Sequence, residues 1–254
     1  YIKDKMTWAV KKMFWNLSPA LKNTVKNADH IWCMNGSVAE VLNLKNKKYS
    51  VSASVATADF GFNLKKKQEE FTLVSAGRFV PLKGFDLTIL SFAKFLKTLS
   101  NEKKKKCKLQ LVGSGPELSY LKQLCQEKNI SQQVEFIDWI AREELMKLFK
   151  ESTAFIFPSH EGAGMVVPEA LSFGLPVICI DNCGPGSFVN DETAYKISIQ
   201  NFNDTVTHLS AAILDLYSNP EKQKMMSKNA RDLFESDFHW DRRGEKLNEI
   251  YSTL

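Results

Sequence analysis

From Phe71 onward, short runs of continuous apolar residues alternate with stretches whose apolar residues recur every three or four positions. The runs predict strands at 71–77, 109–113, 134–138, 154–158, 176–181 and 194–198. The spaced stretches predict helices at about 85–99, 117–128, 142–150 and 168–173. A strand that is apolar along its whole length must be covered on both faces, which is the condition of a parallel sheet. Such strands alternating with helices predict an α/β domain built on a doubly wound parallel (Rossmann-like) sheet. Ligands of these sheets collect outside the carboxyl ends of the strands.

Two more helices are expected at 201–217 and 220–234, with Asn219 capping the second ahead of Pro220. A last helix at about 240–251 follows a break at 237–239, and Trp240, Leu247, Ile250 and Tyr251 mark one side of it. This side is expected to pack on the N-terminal segment. The first 60 residues have a different rhythm. A helical stretch carrying Trp8, Phe14 and Trp15 precedes a strand at 28–34 and a helix from Ser37 to Leu44. One strand and two helices cannot close a core alone. They are expected to be the tail of a preceding α/β domain, joined by a linker at 50–63. The expected organisation is therefore 1–60 as the remnant and linker, 61–236 as the Rossmann-like domain, and 237–254 as a C-terminal crossover helix.

Composition narrows the function classes. A chain of 254 residues, 44% hydrophobic, 25% charged and with 17 Phe, buries a normal core and is not disordered. No run of about 18 apolar residues offers a membrane span. The chain opens on Tyr1, so its true N-terminus is expected upstream. Cys33, Cys107, Cys125, Cys179 and Cys183 are odd in number and form no C-x-x-C pair. That usage points to a reducing, cytoplasmic compartment and supplies no zinc-ligand set, so no metal is expected. The net charge is only +5. The run Lys103 to Lys106 reads as a solvated loop, with attraction to the inner face of an anionic membrane as the alternative, at roughly 1 kcal/mol per charge. No aromatic residues are interleaved with it, so nucleic acid is not an expected partner.

Chemistry concentrates in His160-Glu161-Gly162-Ala163-Gly164-Met165-Val166-Val167-Pro168-Glu169-Ala170-Leu171, which joins a strand to a helix. Glycines at 162 and 164 let backbone approach a ligand, and the amides that follow belong to a helix start, which favours anions. Glu161 and Glu169 bracket the loop. Glu169 alone would equally serve the dipole of its own helix, and the glycines alone would equally serve a tight turn. His160 is either a polar site residue or a structural one. Gly113-Ser114-Gly115 either lines a nucleotide pocket or is a plain turn; it lacks the third glycine of a dehydrogenase fingerprint.

Glu161, seven intervening residues, then Glu169 followed by Ala-Leu-x-x-Gly-x-Pro-Val-Ile resembles the signature of glycosyltransferase family 4, a retaining family of the group 1 type with the two-Rossmann GT-B architecture. Three more segments agree in order: Gly77-Arg78 with Lys83-Gly84, Leu111-Val112-Gly113-Ser114-Gly115, and Phe238-His239-Trp240. The resemblance covers about 71 to 254 and identifies the donor-binding C-terminal half. It implies a nucleoside-diphosphate sugar of UDP or GDP type as donor substrate, without any cofactor. Arg78 and Lys83 would hold the diphosphate and stabilise the charge that grows on it. Glu169 would bind the ribose hydroxyls and Glu161 would lie by the donor sugar. Gly113 and Gly115 would line the nucleotide site, and the amides of Gly164, Met165, Val166 and Val167 would hold sugar and phosphate oxygens.

The chain departs from the family pattern in four places, one of them the linker, where Ala53-Ser54-Val55-Ala56-Thr57-Ala58-Asp59 replaces the common Pro-Asn-Gly-Val-Asp. Ser159-His160-Glu161 is one residue shorter than the usual Ser-x-x-Glu, Asp138 stands where glycine is common, and Cys183-Gly184-Pro185-Gly186-Ser187-Phe188 lacks the usual acid. The resemblance implies sugar transfer, with retention, to a hydroxyl of a glycan or lipid-linked acceptor in surface polysaccharide or glycolipid synthesis. The alternatives are a nucleotide-sugar-binding module without turnover and a GT-B nucleotide-sugar epimerase. With most of an acceptor-binding N-terminal domain expected to be missing, the chain is expected to bind donor, transfer poorly and self-associate through an uncovered apolar patch.

Overall fold

The computed structural model describes residues 18–33, 36–44, 47–51, 70–161, 164–182 and 184–253. The chain forms two compact units, Tyr1–Ser54 with Arg243–Leu254, and Val55–Arg242. The predicted aromatic-rich helix with Trp8, Phe14 and Trp15 and most of the 50–63 linker lie outside the described residues.

In the smaller unit, helix α1 (Pro19–Asn27) starts at Ser18, whose side chain accepts from the Leu21 amide at 3.3 Å. Pro19 occupies the first helical position, where its missing N–H costs nothing. Strand β1 (Ile31–Cys33), helix α2 (Gly36–Leu42) and strand β2 (Tyr49–Val51) follow, and β1 and β2 pair in parallel. The strand at Tyr49–Val51 was not expected, since three residues beside lysines show no readable alternation. A small core of Cys33, Ala39 and Leu44 holds these elements.

The larger unit alternates strands and helices in the predicted order. Strand β3 (Phe71–Ala76), helix α3 (Phe85–Lys97), strand β4 (Cys107–Val112), helix α4 (Leu118–Glu127), strand β5 (Val134–Ile137) and helix α5 (Arg142–Glu151) form its first half. Strand β6 (Ala154–Phe157), helix α6 (Val166–Ser172), strand β7 (Val177–Ile180), strand β8 (Ala194–Ile197), helix α7 (Phe202–Ser218) and helix α8 (Pro220–Leu233) form the second. All six strands pair in parallel in the order β5-β4-β3-β6-β7-β8. This is the α/β, doubly wound parallel sheet that the apolar runs predicted. Every residue of β3, β6 and β7 is buried. The chain runs outward from β3 to β5 and then returns to place β6 on the other side of β3. Successive connections therefore diverge between β3 and β6 and open a crevice at their carboxyl ends.

Several local expectations change. Lys103 and Lys104 end a short helical turn, Asn101–Lys104, rather than lying in an open loop. This turn leads into the start of β4, at the sheet edge opposite the strand carboxyl ends. The Asn219 side chain does not cap α8. It turns back to donate to the Asp215 carbonyl at 2.9 Å and to the Asp215 carboxylate at 2.8 Å, because Asp215 lies one turn upstream. After α8 a π-turn, Phe234–Phe238, precedes the last helix, α9 (Trp240–Ser252). From Arg243 on, this helix falls in one compact unit with the N-terminal segment, as expected. The expected apolar side of α9 is only partly covered: Leu247 and Ile250 are half-buried, whereas Trp240 is 57% and Tyr251 71% exposed. Its buried residue is Arg243, whose guanidinium lies 4.7 Å from the centre of the Trp32 ring. A cation over an indole face can replace apolar packing there.

Among the described residues, no helix is long and apolar enough to cross a membrane. Within the same residues, no group of three His, Cys, Asp or Glu is placed to hold a metal ion. Cys33, Cys107, Cys125 and Cys179 are free and buried, while Cys183 lies outside the described set. Burial raises the thiol of Cys107 to about 11 and that of Cys179 to about 12, so neither carries a reactive thiolate.

Candidate functional site

Residues brought together at the carboxyl ends of the strands line a cavity of about 500 Å³. Ala76, Gly77 and Arg78 enter it from the end of β3, and Val112, Gly113 and Ser114 from the end of β4. Trp139 and Ile140 come from the loop after β5, and Glu161 from the loop after β6. Gly164, Met165, Val166 and Glu169 come from the start of α6. Residues from 76 to 169 in the sequence meet only because four parallel strands end side by side.

The loop after β3 is set by backbone geometry. Pro81–Lys83 form a 3₁₀ turn that ends at Gly84, whose φ of 66° is left-handed. A side chain at Gly84 would overlap the carbonyl of Pro158, so glycine is required there for two reasons. This turn aims Lys83 back into the cavity, with its aliphatic stem beside Gly77. Lys83 Nζ pairs with Glu161 Oε2 and lies 5.1 Å from the centre of the Phe157 ring. Both partners are largely shielded from solvent, so this pair is less screened than a surface ion pair. Arg78 is exposed at the rim, and among the described residues nothing pairs with its guanidinium.

The β6 loop is fastened to the same turn. The His160 amide donates to the Leu82 carbonyl at 2.9 Å, and Ser159 Oγ donates to that carbonyl at 3.2 Å. Asn182 Nδ2 donates to the Ser159 carbonyl at 2.7 Å and so ties in the loop after β7. The His160 side chain is exposed and does not line the cavity. Its position is explained by this backbone tie, and glutamate follows it into the cavity.

At the far end, Glu169 accepts from Arg142 Nη2 at 2.8 Å. Burial pushes the Glu169 carboxyl above the usual carboxylate range, and the Arg142 charge partly pulls it back. Arg142, Trp139, Ile140 and Leu145 were not singled out from the sequence. An apolar dipeptide and a helix-start arginine outside any motif give no local signal. Trp139 is 76% exposed although it lines a cavity. Its main-chain N–H is held by Asp138 Oδ1 at 2.7 Å.

Two expected site residues lie elsewhere. Gly115 is not part of the cavity wall; a side chain there would come within 2.5 Å of the Phe79 carbonyl oxygen. Its small size serves the packing of one βα turn on another. Val167 is fully buried, and its amide donates to the Gly164 carbonyl at 2.8 Å, so that N–H is spent within the turn. Gly164, Met165 and Val166 line the cavity. Helix α6 begins at Val166, two residues before Pro168, because proline is tolerated anywhere in a first turn.

A family model described as glycosyl transferases group 1 matches residues 57–233. An uncharacterized glycosyltransferase of Haemophilus influenzae is 30% identical over 169 residues, which are 65% of this chain and 44% of that protein. A GDP-mannose-dependent monoacylated alpha-(1-6)-phosphatidylinositol monomannoside mannosyltransferase of Corynebacterium glutamicum is 26% identical, over 68% of this chain and 45% of that protein. The chain thus spans less than half the length of these two relatives. Among solved structures, the pneumococcal O-GlcNAc transferase GtfA in complex with UDP and GlcNAc superposes with a TM-score of 0.73 at 17% identity. That match covers 91% of this chain and 47% of the other. At this identity it shows a shared fold, that of the GT-B glycosyltransferases.

Proposed function

This chain belongs to the glycosyl transferases group 1 family, and we propose that its cavity binds a nucleoside-diphosphate sugar for transfer of the sugar, with retention, to a hydroxyl acceptor. One observation carries the reading: Arg78, Lys83, Glu161 and Glu169 converge on a single cavity at the sheet's switch point. The diphosphate lies against Arg78 and Lys83, the ribose against Glu169, and the sugar beside Glu161 and the amides of Gly164 to Val166. The base lies against Trp139, with Ile140 and Leu145 behind it. In the transfer, the bond from the anomeric carbon to the phosphate oxygen breaks and a bond to the acceptor oxygen forms. The acceptor proton passes to the departing diphosphate. Fixed cations stabilise the charge that builds there, so no metal ion is required.

Domain roles follow the same reading. Residues 61–236 bind the donor, 1–60 belong to an acceptor-side domain, and 237–254 cross back toward it. The acceptor is a glycan or lipid-linked hydroxyl in surface polysaccharide or glycolipid synthesis, met in the cytoplasm at the inner face of a membrane. The name of one relative carries GDP-mannose and one solved neighbour holds UDP, so both bases stay as donor candidates.

Thermal shift tests the site directly. A ligand at 100 times its Kd stabilises by roughly 2.7 kcal/mol, which raises the melting temperature by about 5–10 °C for a domain of this size. UDP or GDP should produce that shift and NAD should not; a response to NAD alone overturns the reading. Comparing donor affinity with turnover on an added acceptor then separates transfer from binding without turnover.

Trp139→Ala should weaken nucleotide binding roughly tenfold, since one base–aromatic stack contributes on the order of 1–3 kcal/mol. Inorganic pyrophosphate should bind as before. Calorimetry that finds both ligands equally affected would place the base elsewhere.

A further inference from the structure

The two acids of the cavity each have their own cation, but only one of those cations belongs to a recognised motif. Lys83 holds Glu161, whereas Arg142 comes from the first residue of α5. Nothing in α5 itself explains an arginine there. A cation at a helix start opposes the helix dipole, and the preceding Ala141 offers no side-chain cap. The first turn already carries Glu143 and Glu144, and Glu144 pairs with Lys147 at 2.6 Å. Arg142 instead reaches across to α6.

We propose that Arg142 is a positioning residue that holds Glu169 ionised and oriented to receive the ribose hydroxyls of the donor. This rests on the donor reading of the cavity. Arg142 Nη2 meets Glu169 at Oε1, and Glu169 itself lines the cavity, so the carboxylate is held at one oxygen where it faces the donor site. Ser172 Oγ donates to the Glu169 carbonyl at 2.7 Å and fixes the backbone beneath it. The carboxylate is only 14% exposed, whereas Arg142 is 51% exposed. Water therefore hydrates the cation well and the acid poorly. Without the cation, the buried carboxyl would hold its proton to higher pH and would donate where the ribose hydroxyls need an acceptor. The other charges nearby do not replace it. Lys83 is engaged with Glu161, and Arg78 enters from the end of β3. Arg231 of α8 donates to the Ser172 carbonyl at the other end of α6.

The test is calorimetry on the chain with UDP, GDP and their 2′,3′-dideoxy analogues across a pH series. The unmodified chain should bind one diphosphate and prefer it over its dideoxy analogue. Arg142→Ala and Arg142→Gln should cut that preference roughly tenfold, the size of one charge-assisted hydrogen bond. Both should also lose affinity, as pH is lowered, at a higher pH than the unmodified chain. Arg142→Lys should restore part of each effect, and in a Glu169→Gln background the Arg142 variants should no longer shift the pH profile. Arg142 is half exposed, and an unchanged melting temperature confirms that the variants fold; if alanine does not, glutamine carries the comparison. A chain that binds neither diphosphate overturns the donor reading itself. Binding with the ribose preference and pH profile unaltered in Arg142→Ala and Arg142→Gln overturns the role of Arg142 alone.

Discussion

Replacing Arg78 or Lys83 by alanine is expected to weaken diphosphate binding by roughly 10- to 100-fold each, since each removes a charge-assisted contact of about 1.5–3 kcal/mol. The losses should differ. Arg78 has no partner among the described residues, so its removal subtracts one cation from the rim. Lys83 is paired with Glu161, so its removal also leaves a bare carboxylate facing the ligand. Lys83→Ala should therefore cost more than Arg78→Ala, and adding Glu161→Gln should recover part of the difference. Lys83→Met keeps the stem that lies beside Gly77 and separates charge from packing. Binding of the free nucleoside should be nearly unchanged in all of these variants. If calorimetry shows nucleoside and diphosphate affinities falling together, these side chains shape the loop and do not hold phosphate.

Gly113→Ala should destabilise the larger unit by about 2–6 kcal/mol, the sum expected for a strained backbone angle and an overpacked contact. Gly113 has a φ of 139°, and a methyl group there would overlap the carbonyl of Gly77. Both atoms in that clash are fixed by backbone, because the Gly77 amide itself donates to the Val112 carbonyl at 2.9 Å. The turns that follow β3 and β4 would have to part, and they form two walls of the cavity. Nucleotide binding should fall with stability. Gly244→Ala gives the contrast, since that glycine lies in helix α9 and, among the described residues, nothing comes near the position of its added side chain. It should stabilise by up to about 1 kcal/mol, from helix propensity and a less flexible unfolded chain. Denaturant titration of the two variants reads both signs. A neutral Gly113→Ala would mean the two turns have slack that the geometry denies.

The sheet, its helices and the chemical centre of the candidate site were legible from the chain's own pattern. Six strands were legible because parallel strands covered on both faces must be apolar throughout, and β3, β6 and β7 are buried at every position. The run from Glu161 to Glu169 was legible because a strand end, a glycine turn and a helix start are all local. The Gly77-Arg78 and Lys83-Gly84 segment was legible for the same reason, with Gly84 required by its own φ.

Contacts between segments distant in the chain came only from the fold. The partner of Lys83 lies 78 residues away, and that of Glu169 lies on another helix. Side-chain reach across a cavity leaves no periodicity, so Arg142 and Trp139 carried no signal. Gly113 and Gly115 read alike in the sequence, yet one lines the cavity and the other only lets the Phe79 backbone approach. The Val167 amide, favoured by its place at a helix start, is taken by the Gly164 carbonyl. On α9 the buried residue is Arg243, over the Trp32 ring, while Leu247 and Ile250 of the apolar side are only half-buried. Local sequence fixes which backbone shapes are cheap, whereas the burial and pairing of a particular group are set only when separate segments arrive at the same place.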